Sequence, residues 1–306
     1  MEKYIFINLV LAFVLSPLIP GIINRVKSFF GGRKGPSILQ LYFDLFKLLK
    51  KGTVYSETSS FFLKLAPSIV LAFIVTALLI IPFGGTRLFS FQGDVILFVY
   101  LFAGARIVMI FAALDTGSSF EGMGAAREAA FGMLAEPAFI ISLVVLMVRA
   151  GSLSIGSIFK YSSVAEWKSD LPVLVLVLIA LFIVYLSENC RIPFDDPNTH
   201  LELTMIHEVM ILDYSGPDLA FILYASALKL WIFATIIVTL FIPMTKYNFG
   251  DDTLLNIVGI FILAILTGVV ESVIARLRFS KVPQLLLCAL SVSLIALILI
   301  LTKVNI

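Results

Sequence analysis

Eight apolar runs decide what this chain can fold into. They lie at 4–23, 62–83, 95–114, 129–149, 171–188, 218–243, 254–275 and 283–302. Each is near or above the roughly 20 residues that a helix needs to cross the hydrocarbon core of a bilayer. Within lipid the backbone has no water to bond, so a spanning segment must satisfy its own N–H and C=O groups as a helix. Composition agrees: 60% of residues are hydrophobic and 14% charged, with mean hydropathy +1.07. A soluble domain carries about 25% charged residues. The expected fold is all-α, a polytopic membrane protein of about eight transmembrane helices, forming one domain over 1–306. A net charge of +2 gives no reason to expect a nucleic-acid partner.

An even number of spans puts both termini on one side. The odd-numbered loops carry 13 Lys and Arg residues, against 7 for the termini and even-numbered loops. The positive-inside rule therefore places the odd loops in the cytoplasm and both termini outside. The first run follows a weakly basic start and is long enough to span, so it reads as a retained helix, not a cleaved signal. Two odd loops stand out, 24–61 and 188–217. Within the first, 36–51 places Ile38, Leu41, Tyr42, Leu45, Phe46, Leu48 and Leu49 on one side of a helix ended by Gly52. Gln40, Asp44, Lys47 and Lys51 occupy the other. That pattern predicts a cytoplasmic amphipathic helix lying on the lipid surface or bracing a partner.

The segment 188–213 concentrates polar chemistry in an apolar chain. It holds six acids, both histidines and one of the two cysteines. Asp195-Asp196-Pro197 reads as a helix start, Asp196 as cap and Pro197 in the first turn, with the helix running to about Asp213. Ionisable residues also interrupt the spans: Arg106, Glu136, Glu188, Lys229 and Glu271, with Asp115 and Glu128 at span ends. Charge at that depth is costly, which makes each a candidate for proton or ion handling or for interhelical pairing. Gly122-Met123-Gly124 follows no strand and reads as a tight turn between spans three and four.

Metal and redox chemistry look poorly provided for. Two cysteines are too few for an iron–sulfur cluster. His207-Glu208 would start a zincin motif, but position 211 is isoleucine, so the second histidine is missing. No metal and no cofactor are expected in this chain. His200 and His207 read more simply as hydrogen-bonded helix residues than as ligands or relays.

Arg33-Lys34-Gly35-Pro36, Leu39-Gln40 and Asp44-Leu45-Phe46-Lys47-Leu48 resemble the first cytoplasmic loop of subunit 1 of complex I, the NADH dehydrogenase subunit joining its two arms. Arg191-Ile192-Pro193-Phe194-Asp195, followed by Glu202-Leu203, resembles that subunit's loop after span five. The corresponding subunit of energy-converting (group 4) membrane-bound [NiFe] hydrogenases, including formate hydrogenlyase, is more similar still. The likeness rests on Leu114-Asp115-Thr116-Gly117-Ser118, on Gly124 through Glu128, on Asp195 through Glu202 and on Met205 through Gly216. Asn198 and His200 stand where the complex I loop carries further glutamates, which turns the reading from quinone towards hydrogenase.

The resemblance implies a membrane anchor and coupling subunit of an oxidoreductase complex, without catalysis of its own. Glu136, Glu188, Glu202 and Asp213 fall on the family's carboxylate chain, with Glu128 and Glu208 from the hydrogenase branch and Asp115 beside them. Arg33, Lys34, Asp44, Arg191, Asp195, Asp196, His200 and His207 are the expected docking and loop residues. The partners implied are NiFe large and small subunits, iron–sulfur subunits and antiporter-like membrane subunits, with the NiFe centre and clusters in those partners. The setting implied is a prokaryotic cytoplasmic membrane. The alternatives are a purely structural anchor whose acids only pair, a quinone-site subunit and a stand-alone transporter. Paired broken spans would mark the last, and none is evident.

Overall fold

The structure, a computed structural model, describes residues 2–56, 59–83, 88–160, 164–195, 205–241 and 249–304. Asp196, His200 and Glu202 lie outside these residues, as does the first half of the helix expected from Asp196 to about Asp213. The fold is a bundle of α-helices: α1 (Glu2–Leu15), α2 (Leu18–Phe30), α3 (Gln40–Leu49), α4 (Phe61–Ile80), α5 (Asp94–Asp115), α6 (Ser119–Ala150), α7 (Ile155–Lys160), α8 (Val164–Glu188), α9 (Gly216–Phe241), α10 (Phe249–Val273) and α11 (Val282–Val304). Among the described residues, seven helices are long and apolar enough to cross a membrane, and an eighth span arises if α1 and α2 count as one bent pair.

Three expectations need correction. The first apolar run is not one straight helix: it breaks at Ser16-Pro17, and α1 and α2 meet at 40°. Proline at the break cannot donate to the helix ladder, and α2 then runs on to Phe30. Gly122-Met123-Gly124 is not a turn but lies inside α6, a helix of 32 residues. Gly124 packs on the side chains of Val209 and Met210, so small size, not turn geometry, explains it. Finally, no continuous helix reaches Asp213, because 205–207 are non-helical and only Glu208–Ile211 forms a single 3-10 turn.

α9 is the hub. It packs on α4, α10, α3 and α8 and buries Trp231, Leu228 and Ile232 completely. Phe98, Phe102, Phe139 and Phe233 interlock at ring-centroid distances of 5.0–6.4 Å and tie α5, α6 and α9 together. The outward faces stay apolar, with Ile262 at 60% and Ile298 at 60% exposure; lipid, not water, suits such surfaces. Proline kinks α8, where Asp170 leaves helical geometry two residues before Pro172. Arg149 and Lys303 both pair with Asp170, joining the ends of α6 and α11 to the kink in α8.

The face carrying α3, 188–195 and 205–215 is the platform. α3 keeps Phe43, Phe46 and Leu49 exposed, consistent with a helix lying along lipid. The Tyr42 hydroxyl donates to the Val14 carbonyl. The chain after α3 is stitched to the start of α9: Val54 N–H donates to Ser215 Oγ at 3.0 Å and the Tyr55 hydroxyl to Asp218 at 2.6 Å. At that junction Gly216 has φ +57, and a Cβ there would sit 2.7 Å from the Gly52 carbonyl oxygen. Only glycine combines that backbone angle with that closeness.

Candidate functional site

Arg106 of α5 gathers carboxylates from two other helices. Its Nε lies 3.3 Å from Glu128, while its two terminal nitrogens bond Glu136 and Glu188. Glu128 and Glu136 are two turns apart on α6, and Glu188 closes α8. The far oxygen of Glu188 accepts from Lys229 of α9 at 2.8 Å. The planar guanidinium fork suits such divergent carboxylates. Gly132, one turn from both α6 glutamates, makes room for it: a Cβ there would stand 2.5 Å from Arg106 Nη1. Among the described residues, three carboxylates thus share two cations. Glu188 and Arg106 are nearly shut off from solvent, their side chains 5% and 8% exposed. Breaking a buried pair by removing one partner costs about 3–5 kcal/mol.

A cavity of about 60 Å³, enough for a few waters, adjoins this network. One wall is polar (Arg106, Glu128, Glu188, Lys229, Cys190 and His207) and the other apolar (Val70, Ile74, Phe102 and Met109 among them). Cys190, two residues past the end of α8, adopts a left-handed conformation, φ 51. Burial, with Glu128 and Asp195 nearby, pushes its thiol well above the ordinary value. Burial also lowers the His207 imidazole below its usual range, so the neutral forms of both are favoured. Donor atoms of Glu128, Cys190 and His207 all lie within 4.8 Å of one another.

The platform is held from within. Asp195, 1% exposed, accepts from Arg276 at 2.7 Å and from the Ile206 and His207 amides at 2.9 and 3.2 Å. Leu277 N–H donates to the Pro193 carbonyl at 3.0 Å. Glu271 of α10 pairs with Lys27 at 3.0 Å and faces Arg191 at 3.8 Å. Glu121 of α6 is fully buried and accepts the Asp213 amide at 2.9 Å.

This arrangement of spans, platform and buried charge can be compared with known proteins. The family model described as NADH dehydrogenase matches residues 2–301. The chain belongs to the NADH dehydrogenase family. It is 34% identical to hydrogenase-4 component C of Escherichia coli over 88% of this chain and 86% of that one. It is 32% identical to formate hydrogenlyase subunit 4 of the same organism, over 92% and 93% of the two chains. An NADH-quinone oxidoreductase subunit of Flavobacterium johnsoniae is 27% identical, over 78% and 74%. Among solved structures, a chain of the membrane-bound sulfane sulfur reductase, an archaeal respiratory membrane complex, superimposes with a TM-score of 0.82 at 19% identity, covering 98% of this chain and 99% of that one. That match shows a shared fold.

Within this NADH dehydrogenase family chain, the structure brings Glu128, Glu136 and Glu188 together and leaves other expected site residues elsewhere. Asp115 lies apart: its carboxylate accepts from Ser60 N–H at 2.9 Å, Ser60 Oγ at 2.8 Å and Leu63 N–H at 3.3 Å, anchoring the start of α4. Asp213 is exposed, and it is its amide that meets Glu121. Glu208 opens the 3-10 turn, half-buried. Arg191 and Asp195, expected at a partner surface, are turned inward and buried. His207 lines the cavity. Arg33 and Lys34 are exposed, and Asp44 accepts from Gln40 at 3.0 Å. Arg106 and Lys229 prove to be the centre of the network, and charges inside spans were the signal for both. Glu121 and Cys190 carried no comparable signal.

Proposed function

We propose that this chain is the membrane anchor and coupling subunit of a membrane-bound, hydrogenase-type complex. In this reading electrons pass through a peripheral arm of NiFe and iron–sulfur subunits, and this chain links that event to proton or sodium movement through antiporter-like subunits. It catalyses nothing alone and holds none of the redox cofactors. The platform faces the cytoplasm of a prokaryotic cell, both termini face out, and 1–306 forms one integral domain with 24–61 and 188–217 as its working loops. The relationship to hydrogenase-4 component C and formate hydrogenlyase subunit 4 supports the choice of complex.

One observation carries the coupling role: three carboxylates from α6 and α8 compete for Arg106 and Lys229 beside a cavity. The set carries one more negative than positive group when every acid is ionised. A proton or cation arriving at any of the three glutamates changes which carboxylates hold Arg106. In a low-dielectric setting that re-pairing is worth several kcal/mol, enough to bias a neighbouring element between two arrangements. The exposed Arg33 and Lys34 supply a basic contact for an acidic patch on the peripheral arm.

The test is Glu188→Gln in the assembled complex. Hydrogen evolution should persist while ion translocation driven by it falls at least tenfold. Translocation at the wild-type rate would sink the coupling role. A second reading, a quinone-site subunit, draws on the apolar wall of the cavity and on the relationship to the NADH-quinone oxidoreductase of Flavobacterium johnsoniae. Quinone co-extracted in equal amount with the purified complex would favour it.

A further inference from the structure

We infer that Glu128, Cys190 and His207 form a transition-metal site, best suited to Zn²⁺. The three donors come from α6, from the chain two residues past the end of α8 and from the residue that precedes the 3-10 turn. A carboxylate oxygen, a thiol sulfur and an imidazole nitrogen all lie within 4.8 Å of one another. Bond lengths of about 2.0–2.3 Å put tetrahedral zinc donors roughly 3.3–3.7 Å apart, so closing on an ion asks each side chain to move by about an ångström. Mixed sulfur, nitrogen and oxygen donors select zinc-like ions over magnesium or calcium.

Independent observations support the site. Among the described residues His207 Nδ1 is buried with no hydrogen-bond partner, an atom that carries an unreturned desolvation cost; coordination through it removes that cost. All three side chains line the same cavity, which leaves a fourth position open to water. Cys190 occupies the left-handed position after α8, with Arg191 N–H bonded back to the Leu186 carbonyl at 2.9 Å. Helices commonly end this way with glycine, and a side chain at such an angle is kept at a cost. The surrounding excess of one carboxylate over the two cations favours a further positive charge.

Binding is a ligand exchange without redox change. The Cys190 thiol gives its proton to water as the sulfur–metal bond forms. Glu128 turns from Arg106 to the ion, and Arg106 keeps Glu136 and Glu188. The ion then fastens α6 to the platform segment.

The probe is Co²⁺ added to the full chain purified in detergent and stripped with a chelator. Wild type should bind about one equivalent, with a thiolate-to-cobalt charge-transfer band and strong tetrahedral ligand-field absorption, displaced by Zn²⁺. Cys190→Gly relieves the left-handed strain, so it should fold at least as well in chelator yet lose the charge-transfer band. His207→Gln and Glu128→Gln should each weaken binding at least tenfold, while Cys288→Ser should bind as wild type. The inference is overturned if wild type binds no Co²⁺ equivalent with a thiolate band, or if Cys190→Gly keeps that band. Neither ion transport nor hydrogen evolution is measured, so this result and that of Glu188→Gln stand or fall separately.

Discussion

At the scale of single residues, Arg106 matters most because it is the common partner of three carboxylates. Arg106→Ala leaves Glu128 and Glu136 without that cation and Glu188 with Lys229 alone. Loss of a buried partner should destabilise the detergent-solubilised protein by about 3–5 kcal/mol, seen as a lower midpoint of thermal unfolding. Gly132→Ala is a gentler probe. Its methyl group would meet the pinned guanidinium, so ion coupling should fall while subunit assembly is retained; unchanged coupling would show that the slot is not needed. Asp115 separates a cap from a relay. Its carboxylate satisfies the first amides of α4, and Asp115→Ala should cost roughly 1–2 kcal/mol. Asp115→Asn, which keeps an acceptor but cannot ionise, should retain both stability and coupling. Coupling lost in the asparagine variant would return Asp115 to the proton path.

At the scale of elements, the joins carry the information. Gly216 lets α9 begin against the end of the first platform loop, and Gly216→Ala should lower thermal stability by about 1–3 kcal/mol through strain at a positive φ and contact with Gly52. The spans themselves were legible because hydropathy is a local property: the runs at 62–83, 95–114, 218–243 and 283–302 reappear as α4, α5, α9 and α11 with ends shifted by a few residues. Bends and extensions were not. α6 extends back to Ser119 because its first turns pack on Val209 and Met210, a contact with residues about 85 positions away. The helix expected up to Asp213 gives way to a 3-10 turn, since Asp195 takes the Ile206 and His207 amides that a helix would have kept for itself.

At the scale of the whole molecule, two surfaces differ in purpose. The sides are apolar and suited to lipid, whereas the platform combines an inward ion-pair frame with exposed basic residues. Arg33→Glu with Lys34→Glu should leave the fold intact yet reduce co-purification of the proposed peripheral subunits, most clearly at low salt, where the new like-charge repulsion is least screened. Co-purification at the wild-type level would place the contact elsewhere.

The sequence alone determined the membrane setting, the number of spans to within the bent first pair, the amphipathic α3 and the concentration of charge after α8, because each follows from composition and periodicity over short windows. It also showed that Arg106, Glu136, Glu188 and Lys229 were costly enough in lipid to need partners. Only the tertiary structure decided which partners those are. It assigned Asp115 to a helix start, turned Arg191 and Asp195 inward, buried Glu121 under the platform and set Glu128, Cys190 and His207 around one cavity. These are meetings between residues tens of positions apart, on helices whose rotation and depth are set by packing, and packing leaves no period in a linear chain.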